Sequence, residues 1–189
     1  MGRLLSLLIF NKIFGWTVTG FRAPVELQHV AIAIPHTSNW DFFLGVFSRS
    51  IHKIPHVKYI GKSSLFIFPF GIIFRALGGY PVDRSKNNNF VKAVADIFKK
   101  DPTFSVCLAP EGTRKYTKEL KTGFYYIAKE ANVPLIFVKF DYGTKNVDFS
   151  EPYYLTNDFD TDMKHILNYF KGIKGYNYTF DMEYPWKKD

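Results

Sequence analysis

Short apolar runs recur along this chain, and segments with helical periodicity separate them. The clearest run, Val30–Ile34, is wholly apolar and is stopped by Pro35. A run that is apolar on both faces is typical of a strand buried inside a parallel sheet. The same pattern predicts strands at 16–20, 57–60, 80–82, 104–108 and 135–140, and helices at 40–51, 88–100, 123–131 and 161–170. The alternation predicts an α/β fold: a single domain with a mixed, largely parallel sheet flanked by helices.

The first fifteen residues differ from the rest, because they are almost entirely apolar. Arg3, Asn11 and Lys12 form the polar edge of a helix that would otherwise be apolar over most of its circumference. The run is too short to span a bilayer, which takes about 20 residues. We predict an N-terminal amphipathic helix at 1–15 that lies in a membrane interface, followed by the main domain at 16–189. Packing of this helix on the domain's own core is the alternative.

Charge and cysteine content narrow the setting of the protein. The chain of 189 residues has a formal net charge of +8, so its surface should attract anions such as phosphorylated molecules or anionic lipid. Its single cysteine, Cys107, excludes an intrachain disulfide and fits a reducing compartment. Cys107 lies in an apolar run, which predicts a buried structural thiol rather than a nucleophile.

His36 and Asp41 are the first candidates for chemistry. His36 follows the buried strand, and Asp41 falls in the first turn of the next predicted helix, which Ser38 or Asn39 would cap. A carboxylate on one imidazole nitrogen fixes the tautomer and makes the other nitrogen a better base. The pair is therefore suited to removing a proton from a hydroxyl. Taken alone, a histidine at a strand end is more often a capping or surface residue.

A second candidate is the turn at 110–114, which follows the predicted strand at 104–108. Gly112 allows a close approach of the backbone to a ligand, and Thr113 offers a hydroxyl. Arg114 can hold a phosphate with two donors, while Glu111 can orient Arg114 or bind a substrate hydroxyl. Arg84, at the end of another short strand, is a candidate second phosphate ligand. A surface turn with a solvated ion pair is the alternative for this segment.

Four blocks in this order resemble the glycerolipid acyltransferase family, of which 1-acylglycerol-3-phosphate acyltransferase is the best-known member. The His-x-x-x-x-Asp block matches His36 and Asp41, and a Gly-apolar-Asp-Arg block matches 79–84. The Pro-Glu-Gly-Thr-Arg block matches 110–114, and a Val-Pro-apolar block matches 133–136. The resemblance covers more than half of the chain and is similar to the compact bacterial branch of the family.

The resemblance implies transfer of a fatty acyl group from acyl-CoA or acyl carrier protein to the free hydroxyl of a lysophospholipid, in phospholipid biosynthesis. His36 would be the general base and Asp41 its orienting partner, with backbone amides near Gly112 stabilising the oxyanion. The glycerol phosphate would bind to Arg84, Glu111, Gly112, Thr113 and Arg114. No cofactor beyond the donor substrate and no metal is implied, since no second His or Cys lies at ligand spacing near His36.

Other functions stay open at this point. The acceptor could be another lysolipid, such as a lyso-ornithine lipid, or water could replace it in an acyl hydrolase that uses the same His-Asp pair. A basic module that binds lipid surfaces is the non-enzymatic alternative. Nucleic acid is not expected as a partner, because no known binding motif is present. We expect a peripheral protein on the cytoplasmic face of the membrane, with the apolar stretch at 65–74 as an acyl-chain wall or a membrane contact.

Overall fold

A seven-stranded sheet forms the centre of the computed structural model, which describes residues 3–82 and 87–186. The strands are β1 Thr17–Gly20, β2 Val30–Ile34, β3 Val57–Lys62, β4 Gly79–Val82, β5 Ser105–Leu108, β6 Leu135–Asp141 and β7 Asn146–Phe149. Their order across the sheet is β1-β7-β6-β2-β5-β3-β4. The pair β6–β7 is antiparallel and the other described pairs are parallel. The predicted α/β fold with a mixed, largely parallel sheet is confirmed.

Helices cover both faces of this sheet. They are α1 Arg3–Leu7, continued by the π-helical turn Leu8–Ile13, then α2 Trp40–Ile51, α3 Phe70–Ala76, α4 Asn87–Lys100, α5 Gly123–Ala131 and α6 Phe159–Phe170. A 3₁₀ turn, Ser63–Phe66, precedes α3. Within the described ranges, every helix falls short of the length and apolar character that a membrane span requires.

The central strand β2 divides the core into two layers, because successive side chains of a strand point to opposite faces. Val30 and Ile32 pack with α4, α5 and α6 on one face. Ala31 and Ala33 pack with α2 and the N-terminal helix on the other. The small alanines let α2 lie close to the sheet, at the end of β2 where the candidate residues follow.

The N-terminal helix combines the two arrangements that the sequence left open. Phe10 is 1% exposed and stacks near Phe47 of α2, with ring centroids 5.5 Å apart. Ser6 is buried as well and donates a hydrogen bond to the Ser50 hydroxyl at 2.8 Å. Leucines of the same segment nevertheless remain exposed, Leu4 at 81%. One side of the helix therefore belongs to the core and another is free to meet a different surface.

Two regions differ from simple expectations. Strand β7 is not predicted by the apolar pattern, because its sequence Asn-Val-Asp-Phe is half polar. Its position is set locally by the turn that follows β6, where both Asp141 carboxylate oxygens accept hydrogen bonds, from the Gly143 N–H at 2.8 Å and the Thr144 hydroxyl at 2.7 Å. The apolar stretch at 65–77 becomes the 3₁₀ turn and α3, and many of its large side chains lie at the surface rather than in the core.

Candidate active site

Three neighbouring strands, β6, β2 and β5, end at the same edge of the sheet. Ile34 of β2 pairs with Lys139 of β6, and Ile32 pairs with Leu108 of β5. The loops that follow these strands carry Tyr142, His36 with Asp41, and Glu111 respectively. The carboxyl ends of parallel strands are where α/β proteins place ligands, and the described residues converge there.

His36 and Asp41 form the predicted pair. The imidazole Nδ1 lies 3.1 Å from Asp41 Oδ2, and the His36 side chain is 22% exposed while that of Asp41 is fully enclosed. Because an ionised carboxylate only accepts hydrogen bonds, a neutral imidazole in this contact carries its proton on Nδ1. Its other nitrogen, Nε2, makes no hydrogen bond with any described residue, so it is available to a proton on a substrate.

Asp41 is held in place by three further donors. Its Oδ2 accepts hydrogen bonds from the backbone N–H of Thr37 at 2.7 Å and of Ser38 at 2.8 Å, as a carboxylate in the first turn of a helix can. Its Oδ1 accepts from the Tyr142 hydroxyl at 2.6 Å. Burial, followed by this hydrogen bond, raises the pKa of Tyr142, so the phenol stays a donor. The carboxylate therefore has little freedom to turn away from His36.

Glu111 supports the histidine from the other side. Its side chain is 2% exposed, and Oε2 accepts a hydrogen bond from the His36 backbone N–H at 2.5 Å. Its Oε1 accepts from the Tyr178 hydroxyl at 2.9 Å. Burial raises the pKa of Glu111, although these two hydrogen bonds act in the opposite direction. Glu111 thus fixes the backbone that carries His36, and it makes no described ion pair with Arg114.

A late segment of the chain, residues 175–178, closes over the His36 loop. The backbone N–H of Tyr176 donates to Thr37 Oγ1 at 2.8 Å, and the Asn177 side-chain amide donates to the Thr37 carbonyl at 2.5 Å. Gly175 lies so close that an added Cβ would come within 2.8 Å of Thr37 Cγ2. Residues 175–178, which we call the strap, therefore hold the loop between β2 and α2 from outside the sheet.

The three residues after Glu111 lie at the surface. Gly112 has φ of +65°, in the left-handed region that favours glycine, and it turns the chain outward. Its N–H donates to the Ala109 carbonyl at 3.1 Å, so this amide is not free for an oxyanion, contrary to the role that the resemblance implied. Thr113 and Arg114 are exposed, and the Arg114 guanidinium has no partner among the residues described. An unpaired guanidinium at this edge is suited to an incoming anion.

Two other sequence candidates lie elsewhere. Arg84 falls outside the described residues. Cys107 sits in β5, and burial raises the pKa of its thiol to about 12, so it stays protonated at neutral pH and is a poor nucleophile. Among the described ranges, no group of three or more His, Cys, Asp or Glu side chains is arranged to hold a metal ion.

Four residues at the site have no counterpart among the sequence candidates. Thr37 stands between His36 and Asp41 and offers no obvious chemistry in sequence, yet its N–H and carbonyl both carry contacts. Tyr142 could have been found, because it directly follows β6, the neighbour of β2. Asn177 and Tyr178 follow no strand and lie far from every block, so sequence alone gives no signal for them.

Comparison with known proteins adds one finding about the whole chain. A family model described as Acyltransferase matches residues 18–140, which is more than half of the sequence. The matched segment contains His36, Asp41 and the turn at 110–114, whereas Tyr142 and the strap lie beyond it. No curated protein matches the chain.

Proposed function

The chain belongs to the acyltransferase family, and from this premise we propose that it moves a fatty acyl group from acyl-CoA or acyl carrier protein to a lysophospholipid hydroxyl. The proposed acceptor is 1-acylglycerol-3-phosphate, and the proposed context is phospholipid biosynthesis. The observation that carries the proposal is the His36 imidazole, bound to Asp41 through Nδ1 at 3.1 Å and open at Nε2. Such an imidazole can take a proton from an alcohol at neutral pH.

The reaction needs no covalent acyl-enzyme. His36 Nε2 takes the proton of the acceptor hydroxyl as its oxygen attacks the thioester carbonyl carbon. The tetrahedral intermediate collapses, the carbon–sulfur bond breaks, and the imidazolium returns the proton to the leaving sulfur. Asp41 balances the positive charge on the ring between these two steps, and its fixed position keeps Nε2 aimed at the acceptor.

The phosphate of the acceptor would bind beside this centre. We assign it to the guanidinium of Arg114, the hydroxyl of Thr113, the backbone at Gly112, and Arg84, with Glu111 toward the glycerol. Arg114 is exposed and unpaired within the described chain, which leaves its donors for a ligand. A guanidinium gives two parallel hydrogen bonds to a phosphate, so it selects phosphorylated acceptors over neutral ones.

Access to a lipid acceptor requires contact with a membrane surface. We propose peripheral binding on the cytoplasmic face, with the segment 1–15 as one contact, because its exposed leucines lie beside basic residues. A short apolar helix with a basic edge is suited to lying in the headgroup region. The net charge of +8 favours anionic bilayers.

The test is an assay of purified protein with a panel of acceptors and both donors, read by mass spectrometry. We expect acylation of 1-acylglycerol-3-phosphate, and His36→Ala should lower turnover by about 10²–10⁴-fold. His165→Ala is the matched control, because His165 is an exposed histidine on α6 at the other face of the sheet. Normal turnover of His36→Ala would contradict the mechanism, and release of free fatty acid without acceptor would indicate a hydrolase.

The same assay tests the acceptor class. Arg114→Ala should raise the apparent KM for a phosphorylated acceptor by about 10–100-fold, since loss of a charged hydrogen bond costs roughly 1.5–3 kcal/mol. Lys115→Ala, which changes the neighbouring exposed cation, serves as its control. A wild-type protein that acylates only lysolipids without a glycerol phosphate, such as a lyso-ornithine lipid, would show that the assigned acceptor is wrong.

A further inference from the structure

A basic cleft lies at the end of α2 opposite the candidate active site. Its volume is about 510 Å³. It is lined by Arg3, Val46, Arg49, Ser50, Lys53, Pro55, Ala76 and Leu77. Three of these residues are cations, and none is acidic. His36 and Asp41 stand at the beginning of α2, whose 12 residues span about 18 Å, so the cleft is a separate place.

The two guanidinium groups of the cleft are fixed by the backbone. Arg3 Nε donates to the Ile51 carbonyl at 3.1 Å, at the carboxyl end of α2. Arg49 Nε donates to the Val57 carbonyl at 2.9 Å, and its Nη2 donates to the Pro55 carbonyl. Nη1 of each arginine has no hydrogen-bond partner within the described residues. The groups are therefore held in place with donors left over, which lowers the entropic cost of binding an anion.

Nothing acidic in the surrounding sequence neutralises this charge. Residues 1–25 and 42–82, which build α1, most of α2 and α3, contain no Asp or Glu at all. Lys53 is exposed at the rim of the cleft and forms no described ion pair. A patch of three cations without counter-charges attracts anions, and it does so over about a Debye length in physiological salt.

Apolar ridges stand on both sides of the cleft. On one side the N-terminal helix exposes Leu4, Leu5 and Leu8, and on the other α3 exposes Ile72 and Ile73. A soluble anion would gain nothing from these side chains, whereas a bilayer would bury them and present headgroup phosphates between them. The combination of fixed cations and flanking apolar ridges favours an anionic bilayer as the occupant.

The face of α2 between its two ends completes this surface. Trp40 and Phe43 are about half exposed at the start of the helix, and Val46 and Ser50 continue the same face into the cleft. Residues at these spacings share one side of a helix. A bilayer that rests on the cleft therefore also lies against Trp40, close to His36.

We propose that the cleft binds the headgroup phosphate of an anionic bilayer lipid and orients the protein on the membrane with the exposed face of α2 toward the lipid. The proposal rests on the proposed lipid acyltransferase function and adds to it a second lipid site, distinct from the turn at 110–114. In this orientation the bound headgroup fixes one end of α2, and the acceptor reaches His36 at the other end.

The test measures binding of the full chain to vesicles of phosphatidylcholine with and without phosphatidylglycerol. A basic side chain near an anionic surface contributes about 1 kcal/mol, so Lys53→Gln should weaken binding to anionic vesicles about fivefold, and Arg3→Gln with Lys53→Gln about thirtyfold. Lys129→Gln is the matched control, because Lys129 is exposed on α5 across the sheet. Lys53→Gln alone also guards against loosening of α1 by the Arg3 change.

The controls distinguish binding in the cleft from general charge attraction and from binding of soluble phosphate. Unchanged binding of both cleft variants would overturn the proposal. An equal loss in Lys129→Gln would overturn it too, because general charge attraction would then account for the binding. Equal weakening by the cleft changes of binding to free glycerol 3-phosphate, without vesicles, would show that the occupant is a soluble phosphate and not a bilayer.

Activity distinguishes failure of this proposal from failure of the proposed function. Cleft variants should keep wild-type turnover with a short-chain acceptor dissolved as monomers, whereas His36→Ala should lose turnover and keep vesicle binding. Trp40 gives an independent readout, because its fluorescence emission should shift to the blue on anionic vesicles and Trp40→Phe should remove that shift. Absence of the shift in the wild type would show that α2 faces away from the lipid.

Discussion

Two buried carboxylates, on opposite faces of the sheet, have nearly the same surroundings and different consequences. Asp41 is 1% exposed and accepts hydrogen bonds from Tyr142 and two backbone N–H groups. Asp162 is 0% exposed and accepts from Tyr125 at 3.0 Å, Tyr153 at 2.7 Å, and the backbone and hydroxyl of Thr156. Each has a tyrosine donor and a local backbone donor.

The difference is one partner that reaches solvent. Asp41 also contacts His36, an imidazole with an exposed edge, so a proton can pass between solvent or substrate and a group that the carboxylate controls. The tyrosines and the threonine that donate to Asp162 hold α6 against the preceding loop and α5, and none of them titrates near neutral pH. Burial and hydrogen bonding alone therefore do not mark a site; an exchangeable partner does.

The largest expected effect separates the two carboxylates by activity. Asp41→Asn should reduce turnover by about 10²–10⁴-fold, since the amide cannot balance the charged imidazole. Asp162→Asn should keep the turnover of the folded protein and instead lower the free energy of unfolding by about 2–3 kcal/mol, because buried donors lose their charged acceptor. Turnover and urea denaturation of both variants provide the measurements. If Asp162→Asn lost turnover without unfolding, the contrast would collapse.

The tyrosine donors offer a sharper pair, with a smaller expected effect. Tyr142→Phe removes the donor to Asp41 and should lower kcat about tenfold with little change in KM, as loss of a charged hydrogen bond would. Tyr153→Phe removes the equivalent donor to Asp162 and should lower the free energy of unfolding by about 1.5 kcal/mol with kcat unchanged. Steady-state kinetics and denaturation distinguish them. Equal effects of both changes on kcat would show that Tyr142 acts only through stability.

The smallest expected effect is the pH dependence of stability, measured by urea denaturation of the Asp162→Asn and Glu111→Gln variants. Burial acts to raise the pKa of Asp162, but hydrogen bonds outweigh it and hold that pKa below its ordinary 3.8. The wild type should therefore lose its advantage over Asp162→Asn as the pH falls through the lowered pKa. The pKa of Glu111 is raised by burial from 4.5, so Glu111→Gln should gain relative stability as the pH rises above 4.5. Slopes of the same sign would contradict this assignment.

The fold and part of the site could be predicted from the sequence because both depend on local patterns. The run Val30–Ile34 predicted the central strand, and the spacing of His36 and Asp41 placed the carboxylate in the first turn of α2, where it meets the imidazole. The expected free amide at Gly112 was wrong, because the turn itself uses that N–H for the Ala109 carbonyl. Such internal bonds depend on the exact turn geometry, which residue types alone do not define.

The strap and strand β7 could not be predicted in the same way. Asn177 and Tyr178 act on the His36 loop only because the sheet brings distant segments together, and no periodicity records that meeting. Strand β7 pairs with β6 through backbone groups that every residue carries, so its half-polar sequence gave no apolar signal. The N-terminal helix shows a third limit: composition indicated an apolar segment, but packing decided that Phe10 is buried and Leu4 is exposed.

The strap also determines when the site becomes complete. The hydrogen bond between Asn177 and the Thr37 carbonyl joins residues 140 positions apart, and the bond from Tyr142 to Asp41 spans 101. Contacts between such distant segments form slowly during folding, because large loops must close first, whereas isolated helices form within about a microsecond. Recovery of turnover after refolding should therefore lag behind recovery of helical signal, and enzymatic activity marks the end of folding in this protein.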